Sequence, residues 1–317
     1  MRELFLKKED VKNFGDIGDD MRQVFRNPFT KNVYKNEIIR MMNDRELSEK
    51  DLTVCELLFQ YKFGTLEQLH KASKTDKSVS GFQNRLNRLI EFRIINEFAL
   101  TYLREEQEEI PRDAFKAYCL DLGGQYLLTH FGKDENIMDW FYIENIVTSE
   151  IVAQRLLIFD FCMPFLINKP AGFKYLTPSP ELRVGKRTLI PSFELCLEKN
   201  GRMTYFIGEV SRDQDVYTFF KGKMYKWNEL LTTHTWKKYY NANDDGNEPV
   251  VLLMTNGIEA ALQASRIFSE IGEISKFRVT TQELLENPLY ESGTFMRYDP
   301  ERRGLVNTAI KNFKPEE

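Results

Sequence analysis

The chain has 317 residues, which is long enough for more than one hydrophobic core, and its 42% hydrophobic and 13% aromatic content is that of a packed globular protein. Charged residues make up 29%, yet the formal net charge is only −4. This balance excludes a uniformly basic protein, so any DNA contact has to come from a local basic surface.

Three further classes are disfavoured by the sequence. The four cysteines form no CxxC pair and the three histidines are scattered, which argues against a structural zinc site. The N-terminus lacks the apolar run of a signal peptide. The most apolar stretch, residues 151–167, is interrupted by Arg155, Asp160 and Pro164, so we expect a buried helix there and not a membrane span. We therefore expect a cytoplasmic protein.

Residues 1–46 predict a basic N-terminal arm. The stretch from 21 to 40 holds one acidic residue, Glu37, against five basic ones, which are Arg22, Arg26, Lys31, Lys35 and Arg40. Asn27-Pro28 interrupts any helix there. Such an arm can follow DNA phosphates, but packing on its own domain is the more common outcome.

Residues 47–134 predict a winged helix-turn-helix domain. Three short helices are expected, with N-caps at Ser48, Thr65 and Ser78. The third helix has a regular apolar face made by Phe82, Leu86, Leu89 and Ile90. Two strands follow, within "IINEFALTYL" and "FKAYCLDL", joined by the acidic tip "REEQEEIPRDA", and "LGGQYLLTHFG" predicts a turn and a short closing helix.

The outer face of the third helix is the candidate DNA-binding surface. It combines groups that hydrogen-bond base edges with groups that neutralise phosphates. The candidate residues are Lys71, Lys74, Lys77, Ser80, Gln83, Asn84, Arg85, Asn87 and Arg88. The alternative interpretation is an ordinary solvated helix face, and the acidic wing tip would be repelled by phosphates.

The second half of the chain predicts a helix and then an α/β domain. Residues 135–168 are expected to form a linking helix, and residues 169–310 a domain in which strands and helices follow the order β-β-α-β-α-β around a mixed sheet. A hairpin is expected with its turn at Lys199-Asn200-Gly201. Residues 311–317 are expected to be a disordered tail.

The segments "LSEKDLTVCELLFQYKFGTLEQLHKA", "GFQNRLNRLIEFRIINEF" and "IPSFELCLEKNGRMTYFIGEVSRDQD" resemble the plasmid replication-relaxation family. The resemblance covers about residues 48–230. It implies a DNA-associated protein of a plasmid or mobile element, acting in replication or transfer. It also implies that the second domain has a restriction-endonuclease-like fold.

Active members of that fold hold Mg²⁺ with an Asp on one strand and a Glu-x-Lys on the next. Here Pro191-Ser192 replaces Pro-Asp, and Ser211 replaces the lysine that would follow Glu209. An active enzyme would keep Glu209 as its acid and would need substitutes for the missing Asp and Lys. The candidates are Glu194 on the same strand as Ser192 and a lysine of the next helix, Lys223 or its neighbours Lys221 and Lys226, with Glu150 as a further contributor. We therefore expect an inactive nuclease-like domain without a cofactor, Mg²⁺ being required only if it is active.

Two alternatives to a DNA-binding protein stay open, namely a metal-dependent nicking nuclease and a protein–protein adaptor of a replication or transfer complex. The expected partner is double-stranded DNA, with replication or transfer proteins and a homodimer left open and no membrane partner. "YKW" and "TWKKYY" interleave aromatic and basic residues, as in proteins that bind single strands, but we interpret them as core aromatics beside surface lysines.

Overall fold

The computed structural model describes residues 5–29, 33–102, 109–132, 135–240, 248–270 and 277–314. The α-helices are α1 Lys35–Asn43, α2 Glu49–Tyr61, α3 Leu66–Ser73, α4 Val79–Glu91, α5 Leu122–His130, α6 Ser149–Ile167, α7 Val216–Thr232 and α8 Ile258–Ser269. None of the helices in these ranges combines the length and the apolar character that a membrane span requires.

Strands and helices together form a mixed α/β protein whose chain divides into two units, Met1–Phe159 and Asp160–Glu317. The strands of the first unit are β1 Arg22–Phe25, β2 Phe63–Gly64, β3 Ile95–Thr101 and β4 Lys116–Leu120. Those of the second unit are β5 Phe173–Pro178, β6 Leu182–Val184, β7 Arg187–Leu189, β8 Phe193–Lys199, β9 Arg202–Val210, β10 Val250–Thr255, β11 Phe277–Thr281, β12 Phe295–Asp299 and β13 Gly304–Thr308. The division falls inside α6, in the segment that the sequence predicts as a linking helix.

In the N-terminal unit the three predicted helices begin where their caps indicate. The Asp51 carboxylate accepts the Ser48 backbone N–H at 2.8 Å, Thr65 and Gln68 form a capping box, and the Ser78 hydroxyl accepts the Gly81 N–H at 3.1 Å. The predicted inner face of α4, made by Phe82, Leu86, Leu89 and Ile90, is buried. Periodicity and capping therefore locate α2, α3 and α4 correctly.

The sheet of this unit is antiparallel and has the order β1-β3-β4-β2. Strand β1 comes from the predicted arm and pairs with β3, while Ile17 and Met21 enter the core. Asn27 ends the strand, because its side chain donates to the Ile90 carbonyl at 3.0 Å and its N–H donates to Asn96. Much of the predicted arm is thus packed on its own unit. Of the predicted wing tip, residues 104–114, the stretch 104–108 lies outside the described residues.

The linking helix expected over residues 135–168 is interrupted. Residues Tyr142–Asn145 form a 3-10 turn, and α6 begins only at Ser149. The buried Asn145 side chain donates to the Leu120 carbonyl at 2.8 Å, and the Ser149 hydroxyl donates to the Gly18 carbonyl at 2.7 Å. These bonds fix the chain where a continuous helix was predicted.

The C-terminal unit is built on a seven-stranded mixed sheet with the order β13-β12-β11-β10-β9-β8-β5. Strands β5, β8 and β9 are antiparallel neighbours, β9, β10 and β11 are parallel, and β11, β12 and β13 are antiparallel. Helices α7 and α8 share one core cluster with residues of these strands. Asn200 and Gly201 both have positive φ, +53° and +75°, as the predicted hairpin turn requires.

Where the sequence predicts a disordered tail from 311, the structure has a 3-10 helix at Lys311–Phe313. Phe313 is buried against the rings of Phe165, Phe206 and Phe295. Burial of this ring removes apolar area from water, and this holds the segment up to residue 314 in place. Residues 315–317 lie outside the described part of the chain.

Candidate nucleic-acid interface and the Glu209 cluster

The predicted DNA-binding residues divide into those that are partly buried, which are Gln83, Arg85, Asn87 and Arg88, and those that are exposed. Arg85 belongs to the first group. Its guanidinium donates to Asp51 at 2.6 Å and to Asp76 at 2.7 Å, and its side chain is 14% exposed. The hydrogen bond with Asp76 raises the pKa of Arg85 and lowers that of Asp76. The positive charge of Arg85 is therefore neutralised within the protein, in contrast to the predicted phosphate contact.

Arg88 shares the same acid but keeps more access to solvent. Its guanidinium donates to the two carboxylate oxygens of Asp51 at 3.1 and 3.2 Å, while 43% of its side chain stays exposed. Asp51 is fully buried and lies on α2. The two arginines thus tie α4 to α2, which fixes the position of α4 in this unit.

Gln83 and Asn87 are half-buried on α4. The Gln83 amide donates to the Tyr118 hydroxyl at 3.3 Å and to the Asn87 side chain at 3.4 Å. Tyr118 lies on β4, so these contacts hold the other side of the helix against the sheet. The Gln83 amide nitrogen would have to give up one of these bonds to donate to a base.

The remaining predicted residues are exposed and lie together in the chain. Lys71 is on α3, Lys74 and Lys77 are in the connection to α4, and Ser80 and Asn84 occupy the first two turns of α4. This set, Lys71, Lys74, Lys77, Ser80 and Asn84, is called the α4 entry surface below. It contains three cations, while Asp76, between Lys74 and Lys77 in the chain, is bonded to Arg85, and Glu67 lies near Lys71. Positive charge close to exposed hydroxyl and amide groups is what a nucleic-acid contact requires.

In the C-terminal unit Lys223 meets Glu209, as the candidate catalytic set requires. The Lys223 ammonium lies 2.8 Å from the fully buried Glu209 carboxylate, at the end of β9. The Trp227 indole N–H donates to the other carboxylate oxygen at 2.9 Å, and the Ser192 hydroxyl is 3.4 Å away. These three groups donate to the carboxylate, and two of them, Lys223 and Trp227, join α7 to the sheet.

Glu194 is bonded elsewhere. It accepts the hydroxyl protons of Tyr175 at 2.6 Å and Tyr240 at 2.9 Å, and burial is the largest cause of the raised pKa of both tyrosines. Across the described ranges no group of three or more histidine, cysteine or acidic residues is placed to hold a metal ion. The residues present therefore do not fit the Mg²⁺ site that the resemblance implies.

The four cysteines are buried: Cys55, Cys119, Cys162 and Cys196. Burial is the main cause that raises the pKa of the Cys196 thiol to about 11 and the pKa of Cys55 still further. These thiols behave as apolar core groups, as expected from their scattered positions.

Two acids that organise the first site were not among the predicted site residues. Asp51 is the capping-box acid three residues after Ser48, and Asp76 lies between Lys74 and Lys77 in the chain. A signal was present for Asp51, because an acid at the inner side of an amphipathic helix needs a buried partner. Nothing local indicates that this partner is Arg85, 34 residues away.

The comparisons with known proteins give a distant structural likeness only. No protein-family model and no curated protein matches the chain. Two solved structures of restriction endonuclease FokI, one of them bound to DNA, match 75% of this chain with 14% identity and TM-scores of 0.26 and 0.25. The aligned part spans 43% of those chains. At such TM-scores the likeness carries no argument about this protein.

Proposed function

We propose that the N-terminal unit binds duplex DNA as a winged helix, with α4 directed at the major groove. The element order supports this: α2, α3 and α4 are followed by the antiparallel pair β3 and β4, with β2 at the edge of the sheet. A major groove admits one α-helix, and the first turns of a recognition helix make the base contacts.

The observation that carries the proposal is the α4 entry surface. Its exposed Ser80 and Asn84 supply donors and acceptors for base edges, and Lys71, Lys74 and Lys77 supply charge for phosphates. Arg85 and Arg88 are reassigned from direct contact to positioning, since Asp51 and Asp76 hold them. A helix held this firmly presents its exposed side with little loss of conformational entropy on binding.

Fluorescence anisotropy with labelled duplexes over a salt series tests the proposal. Lys77→Ala is expected to weaken binding to every sequence and to reduce the slope of log K against log salt by about one. Lys199→Ala, an exposed lysine of the C-terminal unit, is the matched control and is expected to change neither quantity. Equal binding by wild type and Lys77→Ala would contradict the proposal.

Asn84→Ala tests base readout at the same surface. A bidentate amide–adenine contact is worth about 1–3 kcal/mol of discrimination. The variant is expected to lose preference at one base position and to keep its salt dependence, and selection from a randomised duplex library would show this. An unchanged base preference at every position would show that Asn84 does not read the sequence.

For the C-terminal unit we propose a restriction-endonuclease-like fold that does not cleave DNA. The order α6, β5, β8, β9, α7, β10 supports the fold, and the bonding of Glu209 to Lys223 and Trp227 supports inactivity. Supercoiled plasmid incubated with Mg²⁺ or Mn²⁺ is expected to stay intact. Nicking that Glu209→Ala abolishes would establish the alternative, a metal-dependent nicking nuclease.

We further propose that the protein serves replication or transfer of a plasmid or mobile element. The sequence resemblance over about residues 48–230 supports this role. Duplex fragments covering the origins of replication and of transfer of a plasmid are the substrates to compare. Binding no tighter than to unrelated duplexes of equal length would count against the role while leaving the DNA-binding proposal intact.

A further inference from the structure

A second basic surface lies in the C-terminal unit and was not among the predicted DNA-binding residues. It is formed by the exposed side of α7 and the tip of the β6–β7 hairpin. We call it the α7–hairpin strip, and its members are Lys186, Arg187, Tyr217, Lys221, Tyr225 and Lys226.

Tyr217, Lys221 and Tyr225 follow one another at intervals of four residues, which places them on one side of α7. The two rings are 50% and 45% exposed and are separated along the helix axis by about 12 Å. The Lys221 ammonium donates to the Tyr217 hydroxyl at 2.6 Å and lies 4.9 Å from that ring. The opposite side of α7, with Phe220 and Trp227, is buried in the core.

The hairpin adds cations at the end of this row. The Arg187 guanidinium lies 4.3 Å from the centre of the Tyr225 ring, and the Lys226 ammonium donates to the Thr188 carbonyl at 2.8 Å. Gly185, with φ of +59°, forms the tight turn that exposes Lys186. Side chains of both strands, Leu182, Val184 and Leu189, enter the core that α7 also contacts. The tip is therefore held in place beside α7.

The charge of the strip is positive. Residues 182–189 and α7 carry six basic residues, the four of the strip with Arg183 and Lys223, against one acid, Glu229, which lies beside Gly185. Asp213 and Asp215 precede α7 in the chain, and Glu270 acts on Lys221. This is a local excess of positive charge in a chain with net charge −4. Exposed tyrosines between such cations offer flat apolar faces beside groups that neutralise phosphate.

We propose that the α7–hairpin strip binds single-stranded DNA. Aromatic side chains stack on bases, and only unpaired bases present their faces. The lysines and Arg187 would neutralise the phosphates that follow these bases, and arginine adds a cation–π contribution. The choice of DNA over RNA rests on the proposed function of the N-terminal unit. A protein that binds a duplex with one unit and a single strand with the other suits a DNA junction or a partly melted site.

The test uses the full chain and a labelled oligothymidine of about 16 nucleotides, the upper end of the site sizes of such surfaces. Replacing both rings, Tyr217→Ala with Tyr225→Ala, is expected to weaken binding at least about fivefold for each ring that stacks. Tyr217→Phe with Tyr225→Phe keeps the stacking faces and is expected to bind like wild type. Tyr290→Ala, an exposed tyrosine outside the strip, is the matched control.

Lys221→Ala is expected to weaken binding and to flatten its salt dependence, whereas Lys199→Ala changes neither. The strip is ruled out as a single-strand site if the double variant Tyr217→Ala with Tyr225→Ala and the variant Lys221→Ala both bind oligothymidine as wild type does. It is also ruled out if wild type fails to bind oligothymidine at low salt. Tighter binding to oligouridine would reassign the strip to RNA, and binding to phosphatidylserine vesicles alone would reassign it to a membrane surface.

The two proposals fail separately. Duplex binding is read with Lys77→Ala and Asn84→Ala, and oligothymidine binding with the tyrosine variants. If wild type binds no duplex but loses oligothymidine when the tyrosines are replaced, the strip stands and the proposed function of the N-terminal unit falls. If the tyrosine variants lose duplex binding as well, to the same degree, selectivity for single strands is wrong.

Discussion

Asp51 connects two helices of the N-terminal unit through one fully buried carboxylate. It accepts bonds from the Ser48 backbone, Arg85 and Arg88. Removing it would leave the largely buried Arg85 with one acid in place of two, so we expect Asp51→Ala to lower the free energy of unfolding by about 3 kcal/mol. Urea denaturation measures this. The control is Glu49→Ala, since Glu49 is exposed in the same helix, and it is expected to change the free energy of unfolding by less than about 0.5 kcal/mol. An equally small effect of Asp51→Ala would contradict the structural role of Asp51.

Asp76 makes the stability of this unit depend on pH. Its hydrogen bonds with Arg85 are the main cause that lowers its pKa below the usual 3.8. An acid with a lowered folded-state pKa stabilises the fold fully above its unfolded pKa, and this contribution is lost as the pH falls through the folded value. We therefore expect Asp76→Asn to be less stable than wild type at neutral pH. The difference is expected to shrink as the pH falls below about 4 and to vanish only below the lowered folded-state pKa. Urea midpoints across pH would show a constant difference if this is wrong.

Glu209 is expected to act as a structural residue. Glu209→Ala leaves the Trp227 indole N–H and the Lys223 ammonium without their shared acceptor, so we expect a loss of about 3 kcal/mol. Glu209→Gln retains an acceptor for Trp227 and is expected to lose less. Thermal unfolding followed by circular dichroism ranks the three proteins. If either Glu209 variant were more stable than wild type, the carboxylate would instead be a functional group that lowers stability, as functional groups often do.

Strand β9 depends on the absence of a side chain at Gly208. A Cβ there would lie 2.0 Å from the Phe193 ring, its cross-strand neighbour. Gly208→Ala is therefore expected to cost at least about 2 kcal/mol through overpacking. Gly222 is the matched control, because it lies in α7 with nothing near its Cβ position, and Gly222→Ala is expected to stabilise the protein by about 0.5–1 kcal/mol. Equal effects in denaturant titrations would contradict this packing.

The elements found from the sequence are those whose signals are local. Caps at Ser48, Thr65 and Ser78 and regular apolar spacing locate α2 to α4, and Asn200-Gly201 locates the β8–β9 turn. The β6–β7 hairpin was missed because its strands have three residues each, too few for alternation to show. Strands β12 and β13 were missed because β13 is only partly buried and its pairing with β12 is set by register, not by composition.

The candidate sites show the same limit at longer range. Residue types identified a basic, amide-bearing face on α4, but they could not show that Arg85 is neutralised by Asp51 and Asp76, because that depends on tertiary contacts 34 and 9 residues apart in the chain. Likewise Trp227 and Trp236 are core residues as interpreted, while Tyr225 in the same motif faces solvent. Burial of neighbouring aromatics is decided by the fold, not by their spacing to lysine.

At the scale of the whole molecule, α6 supplies core residues to each unit separately. Phe159 stacks on Tyr61 in the N-terminal unit, with ring centres 4.2 Å apart, and Phe165 contacts Phe193 and Phe313 in the C-terminal unit. We expect a fragment of residues 149–317 to unfold cooperatively and one of residues 168–317 to be at least about 3 kcal/mol less stable, the cost of losing a buried phenylalanine. Indistinguishable urea curves of the two fragments would contradict this.

The burial of all four native cysteines has a practical result. A thiol is modified as its thiolate. All four thiols are inaccessible, and burial raises the pKa of Cys55, Cys119 and Cys196. Ser80→Cys would therefore introduce a single readily labelled position without any need to remove the native ones. A photoactivatable group attached there would form a covalent link to whichever nucleotide lies nearest, and sequencing the adduct would map the orientation of the protein on its target base by base.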